Sequence, residues 1–487
     1  MTWVSSTGMV LRDLVPAAVR GDWVRRGHCP DRELYSLFRD RVREHPDRTA
    51  VIDDEGSLRY GELDVAVREL AVRLVNAGCG STDIVGVREP NGRAAVIAEL
   101  AVFALGAVVL PVPSGAEALL ERAGARFSIG DGRIAGASRR AGRVTRPHPE
   151  APARILVSSG SESEPKMVAY SHNAFAGGRA NYLRAVRGGI EVPRDLVLVS
   201  LTSGFGSFGV PVTVCRDGGT LILARRFEAS AALALMAEHR PSHVYAVPTM
   251  WRRMAECPGE VDTAGLSAMV SSGDSLPPST RTACRTRFGV GMIDVYGSSD
   301  GVNCHTSTPE HGVGVPDPAV CEIRLVDDEI CARGPMTPLC YVGAPALDAE
   351  HRFDGGWVRT GDNGRFGDGG RLYVTGRRKR VVIRGGYTIS PAEVELAIGE
   401  HPAVGEVACV PVPDTELGER LCACLTVRKG QSLTLPELAA YLRGTGLARP
   451  KLPESLLLLP ELPVSRSGKV CHRTLAGLAA GRHEEKA

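Results

Sequence analysis

The stretch Val157 to His172, VSSGSESEPKMVAYSH, has the residue types of a loop that holds phosphates. Backbone amides in a Ser/Gly-rich turn form an anion-binding nest, hydroxyls add donors, and a lysine a few residues on supplies a mobile positive charge. Ser158, Ser159, Gly160, Ser161 and Lys166 are the candidates, following the apolar run RIL. The same composition suits a plain surface turn, and Glu162 and Glu164 put carboxylates where a polyanion would come. Four further stretches carry chemistry-bearing types: DVYGSSDG (Asp294 to Gly301), WVRTGDNGR (Trp357 to Arg365), GRRKRVVIRGGYTISPAEVE (Gly376 to Glu395) and PVSRSGKVCHRTL (Pro463 to Leu475). Read singly, each has a plain alternative. Asp362 suits a turn cap in TGDNG, Arg377 to Arg380 a solvated charge run, and Lys469 a lysine near a chain end. His172, His305 and His401 have no ligand spacing and read as ordinary polar positions, His305 with the acid-pocket option noted below.

Loops of this kind need elements to present them. A chain of 487 residues is longer than one core supports, so at least two domains are expected. Leu63, Val67, Leu70, Ala71 and Leu74 recur at helical spacing until the glycines of AGCG stop the helix, and the segment before it reads as irregular. The β-rich runs DIVGV, AVVLPV, LVLVSL, GTLILA, HVYAV and AMVSSG alternate with segments of helix length. That alternation predicts an α/β architecture of parallel sheets with crossover helices, in two lengths, roughly residues 45 to 230 and 231 to 330. From about Ala319 to Val374 the pattern changes to short alternating runs around Gly and Asp turns, a small antiparallel sheet. RVVIRGGYTI then predicts a hairpin around Gly385 and Gly386, and SPAEVELAI a helix capped by Ser390, with Pro391 in its first turn and Glu393 three residues beyond the cap. The boundary falls near Arg380, giving an N-terminal domain over 1–379 and an α+β C-terminal domain over 380–487. RRAGRVTRPHPEAPAR reads as a basic, Pro-rich surface connection.

A net charge of +2 leaves no electrostatic footprint for nucleic acid or an anionic membrane. Thirteen Cys from Cys29 to Cys471, with no CxxC and one close pair at Cys422 and Cys424, predict reduced thiols in a cytoplasmic protein without zinc. The start lacks a signal-peptide pattern, and apolar stretches such as ELAVFALGAVVLPV are too short to span a bilayer.

In their order, spacing and residue types the five stretches resemble the adenylate-forming superfamily of acyl-CoA ligases, aryl-acid ligases, peptide-synthetase adenylation domains and luciferases. The resemblance runs from LRYGEL at Leu58 to the C-terminus. It implies a large α/β domain followed by a small mobile α+β domain, and a reaction in which an acid attacks the α-phosphate of ATP and expels pyrophosphate. Such a site must screen charge on two anions and hold them in line. By the resemblance, Ser158, Ser159, Gly160, Ser161 and Lys166 cover the β and γ phosphates, and Tyr296 stacks on adenine with Gly273 and Gly297 in the ATP-binding set. Ser299 reaches the α-phosphate, Asp362 accepts from the ribose hydroxyls, Arg377 assists there, and Asp300 binds Mg²⁺. Lys469 is the catalytic lysine and Arg380 the hinge. Ser203, Gly204, Phe205, Ser272 and His305 are placed at the acid pocket.

Three departures from the family pattern matter. Glu162 and Ser163 stand where the loop usually has Thr and Gly. A carboxylate facing the triphosphate costs about 1 to 4 kcal/mol at about 4 Å, so Glu162 is expected to point outward, the alternatives being a role at Mg²⁺ or a weakened ATP site. Asp300 replaces the usual Glu, one methylene shorter. Ser203 and Gly204 in LTSGFGSFG replace a His or bulky aromatic, making room for a bulky acid or a second reactant. Nothing resembles the Asp that holds an α-amino group, while YGSSDGVNCHT and RGGYTI are most similar to the stand-alone aryl-acid branch. The expectation is a stand-alone ligase of bacterial specialised metabolism, using ATP and Mg²⁺ and passing an aryl or alkyl acid in trans to CoA or a carrier protein. Two alternatives stay open: an amine-acceptor enzyme, either an amide synthetase or a diazotase-like member that activates nitrite, and a degenerate nucleotide-binding homologue.

Overall fold

The computed structural model describes residues 1–136, 142–158, 165–378, 380–464 and 470–484. Its frame is two large sheets with helices between and around them. One has eight strands in the order Asn303–Thr306, Met292–Gly297, Ala268–Ser272, His243–Ala246, Arg194–Val197, Thr220–Leu223, Thr49–Asp53 and Gly56–Arg59, parallel except at its two edges. The other has seven: Cys340–Tyr341, Met167–Ser171, Pro152–Val157, Val108–Pro111, Ile84–Val87, Phe127–Gly130 and Arg133–Ala135. The predicted runs are all strands, and the apolar ones are buried throughout because helices cover both faces. The helix Arg93–Leu105 lies against Tyr60–Asn76 and is buried on nearly every side, which its all-round apolar sequence requires.

The split into two lengths at residue 230 does not hold. Arg194–Val197 pairs with His243–Ala246 and Thr49–Asp53 with Thr220–Leu223, so one eight-stranded sheet takes strands from both lengths while the seven-stranded sheet is built largely from residues between Asp53 and Arg194. An all-apolar strand declares that both faces are covered; it does not declare its neighbours. Nor is the N-terminal segment irregular. A hairpin of Thr2–Val4 and Val10–Arg12 precedes the helices Ala17–Arg25 and Leu34–Glu44. The second buries Leu34, Leu37 and Phe38, a helical spacing present in the sequence, and Glu33 accepts from the Ser36 amide at 2.8 Å.

The basic connection is also corrected at its end. Arg154 is buried in Pro152–Val157, donating to the carbonyls of Ser207 (2.7 Å) and Leu201 (2.6 Å) and pairing with the buried Glu99 at 3.4 Å. A small antiparallel sheet of Glu322–Val326, Glu329–Arg333, Trp357–Phe366, Arg352–Phe353 and Leu372–Arg377 follows. The last sheet pairs the long strands Val404–Asp414 and Gly418–Val427, flanked by the hairpin Val382–Arg384/Tyr387–Ile389 and by Ser455–Leu458. Ser390 stands at the N-cap of Pro391–Gly399, yet its hydroxyl donates to the Thr375 carbonyl (3.2 Å) and Glu393 pairs with Lys451 (2.6 Å). The expected capping box is absent because both side chains have partners outside the helix end.

Every Cys is free, and all but Cys257 and Cys471 are buried. Among the described residues no helix is long and apolar enough to cross a membrane. His172 is wholly enclosed, accepts from the Leu34 amide at 3.3 Å, and is pushed by burial down to about 3. The stability of this neutral ring is present above its ordinary pKa of 6.5 and is lost as pH falls toward the depressed value. Its NMR ring signals should therefore show no titration step above about pH 5; a midpoint near the ordinary value contradicts the burial.

Candidate active site

The carboxyl ends of Ala268–Ser272 and Met292–Gly297 deliver the first residues of the site, where open α/β sheets bind ligands. Ser272 donates to the Val295 carbonyl at 2.8 Å, tying the two ends together. Gly273, at φ 97°, turns the chain immediately after its strand, a conformation that favours glycine.

Among the residues expected at the nucleoside, Tyr296 at the end of its strand donates through its hydroxyl to Asp362 Oδ2 at 2.8 Å. Asp362 and Arg377 are register partners across Trp357–Phe366 and Leu372–Arg377, and Arg377 Nε lies 2.9 Å from Asp362 Oδ1. The carboxylate is 2% exposed while the Arg377 side chain is 66% exposed, so a fixed acceptor is paired with an arm that reaches into water. Burial raises the Asp362 carboxyl and Arg377 opposes the rise; burial and the adjacent carboxylate push the Tyr296 phenol well up, keeping it a donor. Three residues far apart in sequence are thus one cluster.

At the loop expected to take phosphates, Pro152–Val157 and Met167–Ser171 form the two arms of a hairpin. The Ser158 amide donates to the Lys166 carbonyl and the Lys166 amide to Ser158 Oγ, both at 2.8 Å, closing its neck. Ser159, Gly160, Ser161 and Glu162 lie outside the described residues, as does the expected outward direction of Glu162. Lys166 Nζ sits 5.3 Å over the Tyr341 ring and 3.4 Å from His351 Nε2. The Tyr341 hydroxyl in turn donates to Asp300 Oδ1, and Ser298 Oγ stands 3.4 Å from Oδ2. The Ser299 carbonyl accepts from Tyr170 at 2.7 Å. Lys166, Asp300 and Ser299 are therefore gathered at one place by two tyrosines, Tyr170 and Tyr341, that the sequence reasoning missed. The position of Tyr341 in PLCYVGAP carries no signal of this role; only the pairing of Cys340–Tyr341 beside Met167–Ser171 brings it there.

At the expected acid pocket, Ser203 turns its hydroxyl onto the Ser200 carbonyl (2.7 Å) and accepts from the Gly206 amide (3.0 Å), so it shapes the loop. A Cβ built at Gly204 meets no atom within 4 Å, so there is open space beside it. Phe205 packs near Phe208 and Tyr245, and His305 lies edge-on to Tyr182 at 6.1 Å. Burial lowers the His305 ring, favouring its neutral form. Arg380 bonds Glu395 and comes within 3.2 Å of His472 Nδ1, while Glu395 also accepts from the Cys409 amide at 2.6 Å. Lys469 lies outside the described residues, between Val464 and Val470, which pair as an isolated bridge. Across the two parts of the chain, Arg252 meets Glu406 at 2.9 Å.

A family model described as AMP-binding enzyme matches residues 38–129 and 115–342, and one described as AMP-binding enzyme C-terminal domain matches 393–469. The chain belongs to this family of adenylate-forming enzymes and is an ATP-dependent, AMP-forming ligase. It is 30% identical to the salicyl-AMP ligase / salicyl-S-ArCP synthetase of Mycobacterium tuberculosis, over 96% of this chain and 94% of that one. It is 28% identical to the 2-hydroxy-7-methoxy-5-methyl-1-naphthoate–CoA ligase of Streptomyces carzinostaticus, over 96% and 97%. Among solved structures it is similar to the amide bond synthetase McbA from Marinactinospora thermotolerans, with a TM-score of 0.78 at 27% identity, covering 91% of this chain and 99% of that one.

Proposed function

We propose that this ligase adenylates an aryl or other carboxylic acid lacking an α-amino group and hands the acyl group to a thiol of CoA or of a separate carrier protein. The supporting observation is the run from Asp362 through Tyr296, along the chain to Ser299, to Tyr170, and past the neighbouring Arg179, which donates to the Gly204 carbonyl beside open space. Along it, Asp362 and Arg377 hold the ribose, Tyr296 the adenine, Ser299 the α-phosphate, and Ser158 to Lys166 the outer phosphates. The acid enters beside Gly204. One of its oxygens bonds to the α-phosphorus as the bond to pyrophosphate breaks, and Lys469 neutralises the charge that builds between them. Asp300 offers one hard oxygen donor with Oδ1 already fixed by Tyr341, which fits Mg²⁺, an ion that takes few carboxylates and fills its shell with water and phosphate. When bound, Mg²⁺ supplies charge neutralisation on the phosphates. In the second half-reaction the thiol sulfur bonds to the acyl carbon and AMP leaves, with the C-terminal domain turning about Arg380 between the two steps. The names of the two aryl-acid relatives support this choice of acid.

A second reading, transfer to an amine in place of a thiol, is favoured by the missing side chain at Gly204 and the similarity to an amide bond synthetase. Purified protein with Mg²⁺ and ATP, tested against aryl acids, aliphatic acids and nitrite with and without CoA or an aryl amine, separates the two. Pyrophosphate release with a carboxylic acid and a thioester on adding CoA supports the first; amide or nitrogen products support the second.

The Asp362 assignment has its own test. Asp362→Ala should weaken ATP binding by about 1.5 to 3 kcal/mol, the range for hydrogen bonds to a charged acceptor, while Arg377 turns to solvent. Calorimetry with ATP alone reads this, and wild-type affinity in the variant contradicts a ribose contact.

A further inference from the structure

Among the described residues Arg179 is a buried cation without a counter-ion. It ends the π-helical turn Phe175–Arg179, is 5% exposed, and takes part in no ion pair with a described carboxylate. Gly177 and Gly178 explain how it is placed. A Cβ on either would press to 2.6 Å from Cys29 Sγ or 2.3 Å from the Met336 amide, so the glycine pair lets this turn sink into the domain with Arg179 beyond it. Its Nη1 donates to the Gly204 carbonyl at 2.8 Å, and the guanidinium lies within electrostatic reach of Tyr170, whose hydroxyl holds the Ser299 carbonyl. Arg179 thus stands between the open space at Gly204 and the phosphate arm.

Two neighbours sharpen the imbalance. Arg154, on the Leu201 and Ser207 carbonyls of the same loop, is repelled by Arg179, and the carboxylate it pairs with, Glu99, is pushed by burial up to about 7. The Tyr182 hydroxyl, within electrostatic reach of Arg179, is buried with no hydrogen-bond partner among the described residues. A buried guanidinium is costly unless paired, and pinning one backbone carbonyl needs only a neutral donor. Two π-helical segments, Phe175–Arg179 and Gly209–Arg216, flank this loop, a distortion that recurs at functional sites.

We propose that Arg179, together with the Tyr182 hydroxyl, binds a second anionic group of the substrate, so that the acid this ligase takes is a dianion bearing a carboxylate or sulfonate besides the one adenylated. The inference rests on the adenylation reading and narrows its substrate class. One group enters at Gly204, accepts from the Arg179 guanidinium and from Tyr182, and leaves the other group to the α-phosphate.

The test is equilibrium binding of matched probes to the full chain by calorimetry, with Mg²⁺ and a non-hydrolysable ATP analogue: isophthalate against benzoate, 3-sulfobenzoate against benzoate, succinate against butyrate. The dianion of at least one pair should bind about tenfold or more tightly than its partner. Arg179→Gln should bring that ratio toward one, and Arg179→Lys should restore part of it. Equal affinity in every wild-type pair, absence of dianion binding, or a ratio that survives Arg179→Gln overturns the proposal. So does a loss in Arg179→Gln confined to binding of the ATP analogue, which would make the anion a phosphate. Should Arg179→Gln fail to fold, Tyr182→Phe removes one hydroxyl and should lower the same ratio; an unchanged ratio there counts against the site. Pyrophosphate exchange with the same acids reads adenylation separately. Exchange without dianion preference overturns this inference alone, and dianion binding without exchange overturns the adenylation reading alone.

Discussion

Replacing Lys469 by alanine should slow pyrophosphate exchange by roughly 10²- to 10³-fold, about 3 to 4 kcal/mol of transition-state stabilisation, with a far smaller change in ATP affinity. Negative charge grows on the oxygens around the α-phosphorus only as the new bond forms, so a lysine placed there acts mainly on the transition state. Lys166 provides the contrast. Held against Tyr341 and His351 beside the neck of the Pro152–Val157/Met167–Ser171 hairpin, it would, in the proposed phosphate-binding role, meet charge that ATP carries before and after the step. Lys166→Ala should therefore act chiefly on ATP binding. Exchange kinetics and calorimetry on both variants check the pair, and full exchange activity in Lys469→Ala means that the role assigned there from the family pattern is wrong.

Arg187→Met should destabilise the protein by about 3 to 5 kcal/mol, the cost of leaving a buried carboxylate without its cation. The Arg187 side chain is 1% exposed and pairs with both Asp195, wholly buried, and Asp217. It also donates to Thr213 Oγ1 at 2.9 Å, and Thr213 donates to Asp195 at 2.7 Å. Asp195 lies in Arg194–Val197 at the centre of the eight-stranded sheet, where no water is available to replace the lost partner. Adding Asp195→Asn should recover part of the loss, because the charge is removed with its partner. Urea unfolding of the single and double variants measures both, and a single variant as stable as wild type shows that the triad contributes little.

Some of this was readable from local pattern alone. Leu63, Val67, Leu70 and Leu74 mark one face of the helix Tyr60–Asn76, and the short apolar runs mark strands, because side-chain period depends only on a residue's near neighbours. Tyr296, Asp362 and Arg377 stood out through their motifs, and the fold brings them to within hydrogen-bond or ion-pair distance. Arg154 and Ser390 show the limit. One looked like solvent-facing charge and the other like a cap, and each found a partner distant in sequence that no spacing announces.

By itself, then, the sequence carried the motifs whose family resemblance implied the class of reaction, and it determined most kinds of element and offered candidate residues, since motifs and side-chain period depend on residue type and short-range order. Only the tertiary structure decided which strands share a sheet, that Tyr170 holds the Ser299 carbonyl and Tyr341 the Asp300 carboxylate, and that Arg179 is buried beside Gly204 with no counter-ion among the described residues. The physical reason is that the energy of a charge or a strand edge is set by what long-range packing places next to it, and that neighbour is absent from any local stretch of chain.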